Sequence, residues 1–279
     1  MKASSVILLV TIINQCLLPS DMRRIAIYGK GGIGKSTTTS NVTAALCERG
    51  LKVMQIGCDP KSDSTGLLLG GKRPLTVLNA VRGGGSPTLD DIVFEGYGGS
   101  LCVECGGPKP GTGCAGRGII AAFETLERLG AVEHYRPDVV LYDVLGDVVC
   151  GGFAMPIRNG YARDIFVVTS GEMMSLYAAG NIAEAVRGFS DSGYARFGGL
   201  IQNSRAILGE DEKVRQMAEE LGTEVIAILP RSGTVQECEA MNMTVMQGAP
   251  DSAQAEAYRS LASELMRRSE EAAGGLRGM

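Results

Sequence analysis

The stretch Gly29-Lys30-Gly31-Gly32-Ile33-Gly34-Lys35-Ser36 decides the fold, because it fits the pattern G-x-x-x-x-G-K-[ST] of a phosphate-binding loop. A short apolar run, Arg24–Tyr28, precedes it and predicts a first strand. Ser36–Arg49 follows with apolar residues at helical spacing, and Gly50 stands where a helix C-terminal cap belongs. A strand that passes through a Gly-rich turn into a helix is the context in which this pattern is specific, so the stretch predicts a nucleotide-binding loop.

The residues of this loop have different predicted roles. Glycines let backbone N–H groups curl around phosphate oxygens, and the helix N-terminus adds a favourable dipole. We expect Lys35 to reach the β- and γ-phosphates and the Ser36 hydroxyl to ligate Mg²⁺. The predicted nucleotide-binding residues of the loop are Gly29, Gly31, Gly32, Ile33, Gly34, Lys35, Ser36 and Thr37.

Short apolar runs and helical stretches alternate along the rest of the chain. Further strands are predicted at Val53–Gly57, Val139–Tyr142, Ile165–Thr169, Gly199–Gln202 and Val225–Leu229. Helices are predicted at Gly118–Leu129, Ser175–Ser190, Glu210–Leu221 and Ala253–Arg268. This alternation predicts an α/β fold, a single P-loop NTPase domain with a mostly parallel sheet flanked by helices.

Composition and charge limit the binding partners and the cellular compartment that we expect for this protein. The chain has 279 residues, a formal net charge of -4 and no basic stripe, so we expect no nucleic-acid partner. The apolar run Val6–Leu18 is too short to span a membrane, and its flanks make a poor signal peptide. We therefore interpret residues 1–21 as an N-terminal extension, consistent with a misassigned start, and expect a cytoplasmic protein. Residues 22–269 form the predicted domain, and 270–279 a flexible tail.

Acidic residues follow two of the predicted strands. Asp59 and Asp63 come after the second strand, where a carboxylate can hold the Mg²⁺ shell or polarise water. Asp143 begins a D-x-x-G segment that ends at Gly146, the usual pattern of a phosphate sensor. Asp147 is a candidate for positioning the attacking water. Any one of these aspartates could instead be a helix cap or turn residue, but three at strand ends beside a phosphate loop favour the nucleotide site.

Two of the eight cysteines lie in loops with small neighbours. Cys114 stands in Gly113–Gly118 and Cys150 in Val148–Gly152, where there is room for a bulky inorganic group. Two thiolates cannot hold a [4Fe–4S] cluster, but the same pair from both subunits of a two-fold dimer can. Because Cys150 is only seven residues after Asp143 (150 − 143 = 7), movement of the phosphate sensor would be felt at the cluster.

A rival interpretation uses the C-x-x-C pair of Cys102 and Cys105 with Cys114 and Cys150 as an in-chain zinc or cluster site. Cys58, directly after a strand, is expected to be buried or close to the nucleotide. Cys16, Cys47 and Cys238 resemble ordinary small apolar residues.

Four stretches together resemble the nitrogenase iron protein family: Tyr28–Thr38, Gly57–Lys61, Gly113–Gly118 and Tyr142–Phe153. Lys30 resembles the extra lysine of the MinD, ParA and nitrogenase iron protein class, which reaches across a dimer interface to the partner's nucleotide. The resemblance runs from about Met22 to Arg268. It implies a homodimer with one shared [4Fe–4S] cluster and MgATP-dependent electron transfer to a separate catalytic component.

The resemblance also assigns further residues and partners. Asn203 would contact adenine, Lys61 would join the nucleotide-binding set, and Arg117 would lie on the docking surface, a site of ADP-ribosylation in some members. The catalytic component would carry its own metal cluster or tetrapyrrole site, and a ferredoxin or flavodoxin would supply electrons.

Three departures from the family pattern favour a nitrogenase-like paralogue, such as a methylthio-alkane reductase or coenzyme F430 reductive cyclase component, over nitrogenase reductase itself. They are Cys105 in place of a serine, the Gly-rich residues 72–94 and a short tail after Arg268. The run Ala154–Arg158 argues against the pigment reductases. The alternatives are a non-redox dimeric ATPase of the MinD/ParA kind and a metal-cluster scaffold ATPase.

Overall fold

The computed structural model describes residues 22–84, 86–107, 115–146, 154–158, 160–190 and 195–274. The strands are β1 (Arg23–Gly29), β2 (Val53–Gly57), β3 (Phe94–Glu95), β4 (Leu101–Glu104), β5 (Val139–Asp143), β6 (Asp164–Thr169), β7 (Arg196–Asn203) and β8 (Val225–Leu229). The helices are α1 (Lys35–Glu48), α2 (Val77–Arg82), α3 (Leu89–Ile92), α4 (Ala115–Arg128), α5 (Ala131–Tyr135), α6 (Met155–Arg158), α7 (Met173–Ser190), α8 (Glu210–Glu220), α9 (Gly233–Ala240), α10 (Val245–Gly248) and α11 (Ala253–Gly274).

Within the described part of the chain the strands form one eight-stranded sheet in the order β3-β4-β2-β5-β1-β6-β7-β8. Neighbouring strands are parallel except for β3 and β4, which pair antiparallel at one edge. β1 lies between β5 and β6 near the centre, so the loop that follows it rises from the middle of the carboxyl edge. This is the edge at which ligands bind in open α/β sheets.

Both faces of the sheet are covered by helices. Along β1, Ala26 and Tyr28 face one core with α4 and α7, while Ile25 and Ile27 face the other with α1 and α11. Because both faces are buried, the central strands are almost continuously apolar. The predicted α/β architecture is confirmed.

The predicted elements lie within a few residues of the observed ones, and β2 and β8 coincide with their predictions. The strand β4 was not predicted, because its run Leu101–Glu104 is short and ends in a carboxylate that breaks the apolar pattern. All four of its residues are nevertheless buried, Glu104 included. A buried polar residue at the end of the strand thus prevented its prediction from the apolar pattern of the sequence.

We expect Gly57→Ala, at the end of β2, to destabilise the fold by about 1–3 kcal/mol through overpacking. A Cβ at this position would lie 2.1 Å from Glu104 Oε2 and 2.7 Å from Ser64 Cβ, both of which belong to buried residues. The free energy of unfolding, measured by urea titration, tests this expectation.

The matched control is Gly188→Ala on the exposed side of α7, where a Cβ meets nothing within 4 Å. This change should stabilise the helix by about 0.5–1 kcal/mol, because alanine loses less backbone entropy than glycine on folding. Equal stability of the Gly57→Ala variant and the parent would contradict the packing argument.

Candidate functional site

A cleft of about 440 Å³ opens at the carboxyl edge of the sheet, around the loop between β1 and α1. Its volume falls in the range typical of small-molecule sites, about 300–1,000 Å³. Thirteen residues predicted for the nucleotide or for catalysis line it: Gly29, Lys30, Gly31, Gly32, Gly34, Lys35, Ser36, Thr37, Asp59, Lys61, Asp63, Gly146 and Asn203. The structure therefore brings together residues that the sequence places up to 174 positions apart (203 − 29 = 174).

The ammonium of Lys35 is buried and bonds directly to Asp143 Oδ1 at the end of β5. It also lies 3.4 Å from the Ser36 hydroxyl. The second carboxylate oxygen of Asp143 is buried and has no protein hydrogen-bond partner among the described residues. A hydroxyl and a carboxylate oxygen are hard ligands that suit Mg²⁺ or its bound water, so Ser36 and Asp143 fit the metal of a magnesium nucleotide.

Gly146 packs directly against the phosphate loop. A Cβ on Gly146 would lie 1.9 Å from the carbonyl oxygen of Gly29, so only glycine allows this approach. The chain is held in place just before it, because the Val144 N–H donates to the Ile27 carbonyl of β1 at 3.0 Å. The D-x-x-G segment predicted as the phosphate sensor thus touches the loop that it would sense.

A buried polar network ties α1 to β2 and to the segment after it. Thr43 donates to Gln55 Oε1 at 2.7 Å, and Gln55 Nε2 donates to the Ser64 carbonyl at 3.0 Å. The Ser40 hydroxyl donates to the same carbonyl at 2.8 Å. These bonds fix the chain that carries Asp59 and Asp63 against the phosphate-loop helix.

Glu104 anchors the same segment from β4. Its Oε1 accepts hydrogen bonds from Thr65 N–H at 2.7 Å and from Thr65 Oγ1 at 2.8 Å. Burial raises the pKa of Glu104 to about 7 despite these two bonds, and the nearby Asp143 and Asp63 carboxylates add to the rise. Nothing in the sequence pattern pointed to this carboxyl group.

Sequence reasoning missed the other residues that line the cleft, which are Leu145, Ser204, Arg205, Pro230, Arg231, Ser232, Val235, Gln236, Glu239 and Tyr258. Thr37 Oγ1 donates to Glu239 Oε1 at 2.6 Å, which connects α1 to α9. Asn203 Nδ2 donates to the Ile33 carbonyl at 2.7 Å, and Arg205 donates to the Gly32 carbonyl at 2.7 Å. A usable signal was the position of Pro230–Ser232 directly after a predicted strand, whereas no local pattern marks Tyr258.

The cysteines of the C-x-x-C pair face opposite sides of the sheet. Cys102 packs in the core with α1 and α11, and Cys105 packs in the core with α4 and α7. Cys58 is fully buried, as expected, and Cys47 and Cys238 are also buried. In the residues that the structure describes, no group of three or more His, Cys, Asp or Glu side chains is arranged to hold a metal ion.

Several predicted residues lie elsewhere. Cys114, Cys150 and Asp147 lie outside the described residues, as does Cys16. Arg117 is exposed in the first turn of α4, and Lys30 is exposed at the mouth of the cleft.

Within the described ranges, no helix combines the length and apolar character needed to cross a membrane.

Residues 23–273 match the family described as 4Fe-4S iron sulfur cluster binding proteins, NifH/frxC family. The nitrogenase iron protein of Methanospirillum hungatei JF-1 is 57% identical over 249 residues, which cover 88% of this chain and 88% of that protein.

Among solved structures, the cell division ATPase MinD of Pyrococcus furiosus superposes with a TM-score of 0.67 at 20% identity, covering 88% of this chain and 99% of that one. A ParA family ATPase from Chlorobium tepidum TLS gives a TM-score of 0.65 at 17% identity, covering 87% and 98%. At these identities the two structures share the fold alone with this chain.

The raised pKa of Glu104 predicts a specific pH dependence of stability. The folded protein holds the Glu104 proton up to pH of about 7, whereas the unfolded chain releases it near 4.5, so stability falls as pH rises through this window. The glutamine side chain of Glu104→Gln keeps an oxygen that accepts the Thr65 hydrogen bonds, but it cannot ionise. When the pH rises from 5.5 to 8, the unfolding free energy of the variant should therefore fall by about 2 kcal/mol less than that of the parent.

Urea unfolding at the two pH values measures this difference. Glu184→Gln, which removes an exposed carboxylate on α7, is the control and should follow the parent. The same pH slope in the parent and in Glu104→Gln would show that the buried carboxyl does not titrate in this range.

Proposed function

Because the chain belongs to the NifH/frxC family of 4Fe–4S iron–sulfur cluster binding proteins, we propose that it is an ATP-hydrolysing reductase component that passes electrons to a separate catalytic protein. The observation that carries the proposal is the direct contact between the phosphate loop and the segment that begins at Asp143. That segment leads within seven residues to Cys150 (150 − 143 = 7). Nucleotide chemistry and the cysteine are thus joined by one short piece of chain.

The nucleotide would act first on Lys35. Its ammonium pairs with Asp143, and phosphate oxygens would compete for it. With Lys35 paired to the phosphates, the Asp143 carboxylate would be free to hold the magnesium or its bound water. Asp143 is fully buried, so leaving its charge uncompensated would be costly, and the exchange requires the metal to enter with the nucleotide.

Gly146 would report the presence of the γ-phosphate. It lies against Gly29, at the start of the loop that would wrap the phosphates, and its N–H would donate to the γ-phosphate. Loss of the γ-phosphate would free this N–H and allow the chain after it to move. Asp147, the next residue, is proposed to orient the attacking water.

Cys114 and Cys150 are proposed to hold the cluster, with one cluster shared by two copies of the chain. A bound [4Fe–4S] cluster supplies one-electron redox chemistry. The surroundings of Cys114 fit such a group, because the fourteen-residue helix α4 begins directly after it, at Ala115. The positive end of the helix dipole favours a thiolate and an anionic cluster. The buried Gly116 and Gly118 keep that end of the helix free of bulky side chains.

The surface beside the cleft supports the proposed homodimer. Met173, Met174 and Tyr177 at the start of α7 are 82%, 58% and 64% exposed, unusual for large apolar side chains. Exposed Lys30 lies on the same edge of the sheet, where it would reach the nucleotide of the second subunit. Burial of this apolar patch, consisting of Met173, Met174 and Tyr177, against another copy would bring the two clefts together.

The finer assignment is also a proposal. Cys105 and the Gly-rich residues 72–94 favour a nitrogenase-like paralogue over nitrogenase reductase. Its partner would carry a metal cluster or tetrapyrrole site and dock beside exposed Arg117, and a ferredoxin or flavodoxin would deliver electrons.

Anaerobic purification and iron analysis test the redox proposal. We expect about four irons per two chains and loss of that iron in Cys114→Ser and Cys150→Ser, since a [4Fe–4S] cluster needs four thiolates. Cys102→Ser is the matched control and should keep its iron, because Cys102 is buried in the α1 core. A colourless parent, or full iron in Cys114→Ser, would refute the cluster assignment; ATPase stimulation by lipid or DNA would then favour a MinD/ParA-type role.

Met173→Glu tests the apolar patch. A charge at the centre of a desolvated contact should shift the protein from dimer to monomer in sedimentation at micromolar concentration. Ile228→Glu, at a half-exposed position on the edge strand β8, is the control and should remain dimeric. A Met173→Glu dimer as tight as the parent's would place the interface elsewhere.

A further inference from the structure

Cys58 and Cys105 lie in the same buried core beneath the nucleotide cleft, and neither has a place in the proposed reaction. We propose that this pair is an oxidisable dithiol site, which closes to an intramolecular disulfide in the presence of a low-molecular-weight disulfide such as glutathione disulfide. The disulfide would cross-link the segment that carries Asp59 to the segment that leads to Cys114. Its effect on nucleotide rests on the proposed function, whereas its formation does not.

Strand register places the two cysteines opposite one another. β2 and β4 are parallel neighbours whose last paired residues are Gly57 and Glu104. Cys58 and Cys105 are the next residues on each strand, and the Cys105 N–H donates to the Gly57 carbonyl at 2.9 Å. Side chains at matching positions of neighbouring strands point to the same face, and both cysteines pack in the core that contains α4 and α7. Neighbouring strands lie about 4.8 Å apart, which falls within the Cα separations that a disulfide spans.

The contact between the two chains continues beyond the cysteines. A Cβ on Gly107 would lie 2.4 Å from Pro60 Cβ, so the chain after Cys105 packs closely on the chain after Cys58. The Cys58 N–H donates to the Asp143 carbonyl at 2.9 Å. Three segments therefore meet at the thiol pair: the one that carries Asp59 and Asp63, the one that leads towards Cys114, and the phosphate sensor.

The pair is protected while these segments are closed. Both thiols have no exposed surface. Oxidation would therefore follow displacement of the chain after Cys58, where Lys61 and Asp63 are exposed along the cleft wall.

The chemistry is a two-step thiol–disulfide exchange. One cysteine sulfur attacks glutathione disulfide, which releases one glutathione and leaves a mixed disulfide. The neighbouring cysteine then displaces the second glutathione and forms the Cys58–Cys105 bond. Two protein S–H bonds and the S–S bond of the oxidant are lost. One protein S–S bond and two glutathione S–H bonds are gained, so two electrons pass to glutathione disulfide.

We expect the disulfide to weaken nucleotide binding and bound nucleotide to disfavour formation of the disulfide. The segment with Asp59 and Asp63 must adjust to a bound nucleotide, and the cross-link would fix it to the chain after Cys105. Because linkage is reciprocal, any factor by which the disulfide weakens MgADP is also the factor by which MgADP disfavours the disulfide. We expect roughly a tenfold effect, within the range usual for two coupled sites.

The test uses the full-length protein, purified anaerobically and equilibrated in glutathione buffers of graded redox ratio, with and without MgADP. After thiols are alkylated and the protein is digested without reduction, mass spectrometry should detect the Cys58–Cys105 linked peptide. The midpoint ratio should shift roughly tenfold towards oxidant when MgADP is present. The MgADP dissociation constants of oxidised and reduced protein should differ by the same factor and become equal again after dithiothreitol.

Two variants control this experiment. Cys105→Ser should abolish the linked peptide and make MgADP affinity insensitive to glutathione disulfide; Cys105→Ala serves if the serine variant does not fold. Cys102→Ser removes a buried thiol from the same strand but the opposite face, and should behave as the parent. Absence of the linked peptide in folded parent protein under full oxidation, or a disulfide that leaves MgADP affinity unchanged, overturns the proposal. Iron content and the MgADP affinity of the reduced protein report separately on the proposed function.

Discussion

The contact between Lys35 and Asp143 is the interaction on which the candidate site depends. It joins the first helix to the end of β5, where Asp143 is fully buried and Lys35 nearly so, so neither group can lose its partner without a substitute of the right sign. A magnesium nucleotide offers both substitutes at once, phosphate for the lysine and metal for the aspartate. The expected ligand could therefore replace both partners of this ion pair.

Other buried polar groups extend this arrangement around the carboxyl edge of the sheet. Gln55 and Glu104 occupy positions on β2 and β4 where an apolar residue would ordinarily stand, and each holds part of the segment Ser64–Thr65. Buried polar groups are costly unless they are paired, and here their partners belong to the chain that follows Asp59 and Asp63. The segment with Asp59 and Asp63 is thus fixed by a few hydrogen bonds rather than by a large apolar contact.

The comparisons with solved structures bear on the fold, whereas the comparisons of sequence bear on the function. MinD and ParA ATPases share the architecture at about 20% identity, as expected because one fold can serve several different functions. The likeness to a nitrogenase iron protein is much closer, at 57%. The family resemblance read from four short stretches of sequence is confirmed by a match over residues 23–273. Those stretches contain the phosphate-loop pattern, the D-x-x-G segment, Cys114 and Cys150.

The sequence by itself determined the phosphate-loop pattern, the alternation of strands and helices, the D-x-x-G segment and the family. Each of these is written in consecutive residues or in a short period, so a local pattern is enough to find it. Only the tertiary structure decided that Glu104 holds Thr65, that Thr37 meets Glu239 and that Cys58 and Cys105 share one core while Cys102 lies in the other. The first two contacts join residues 39 and 202 positions apart. Such meetings depend on which strands are neighbours and on their register, and a one-residue shift would turn every side chain of a strand to the opposite face.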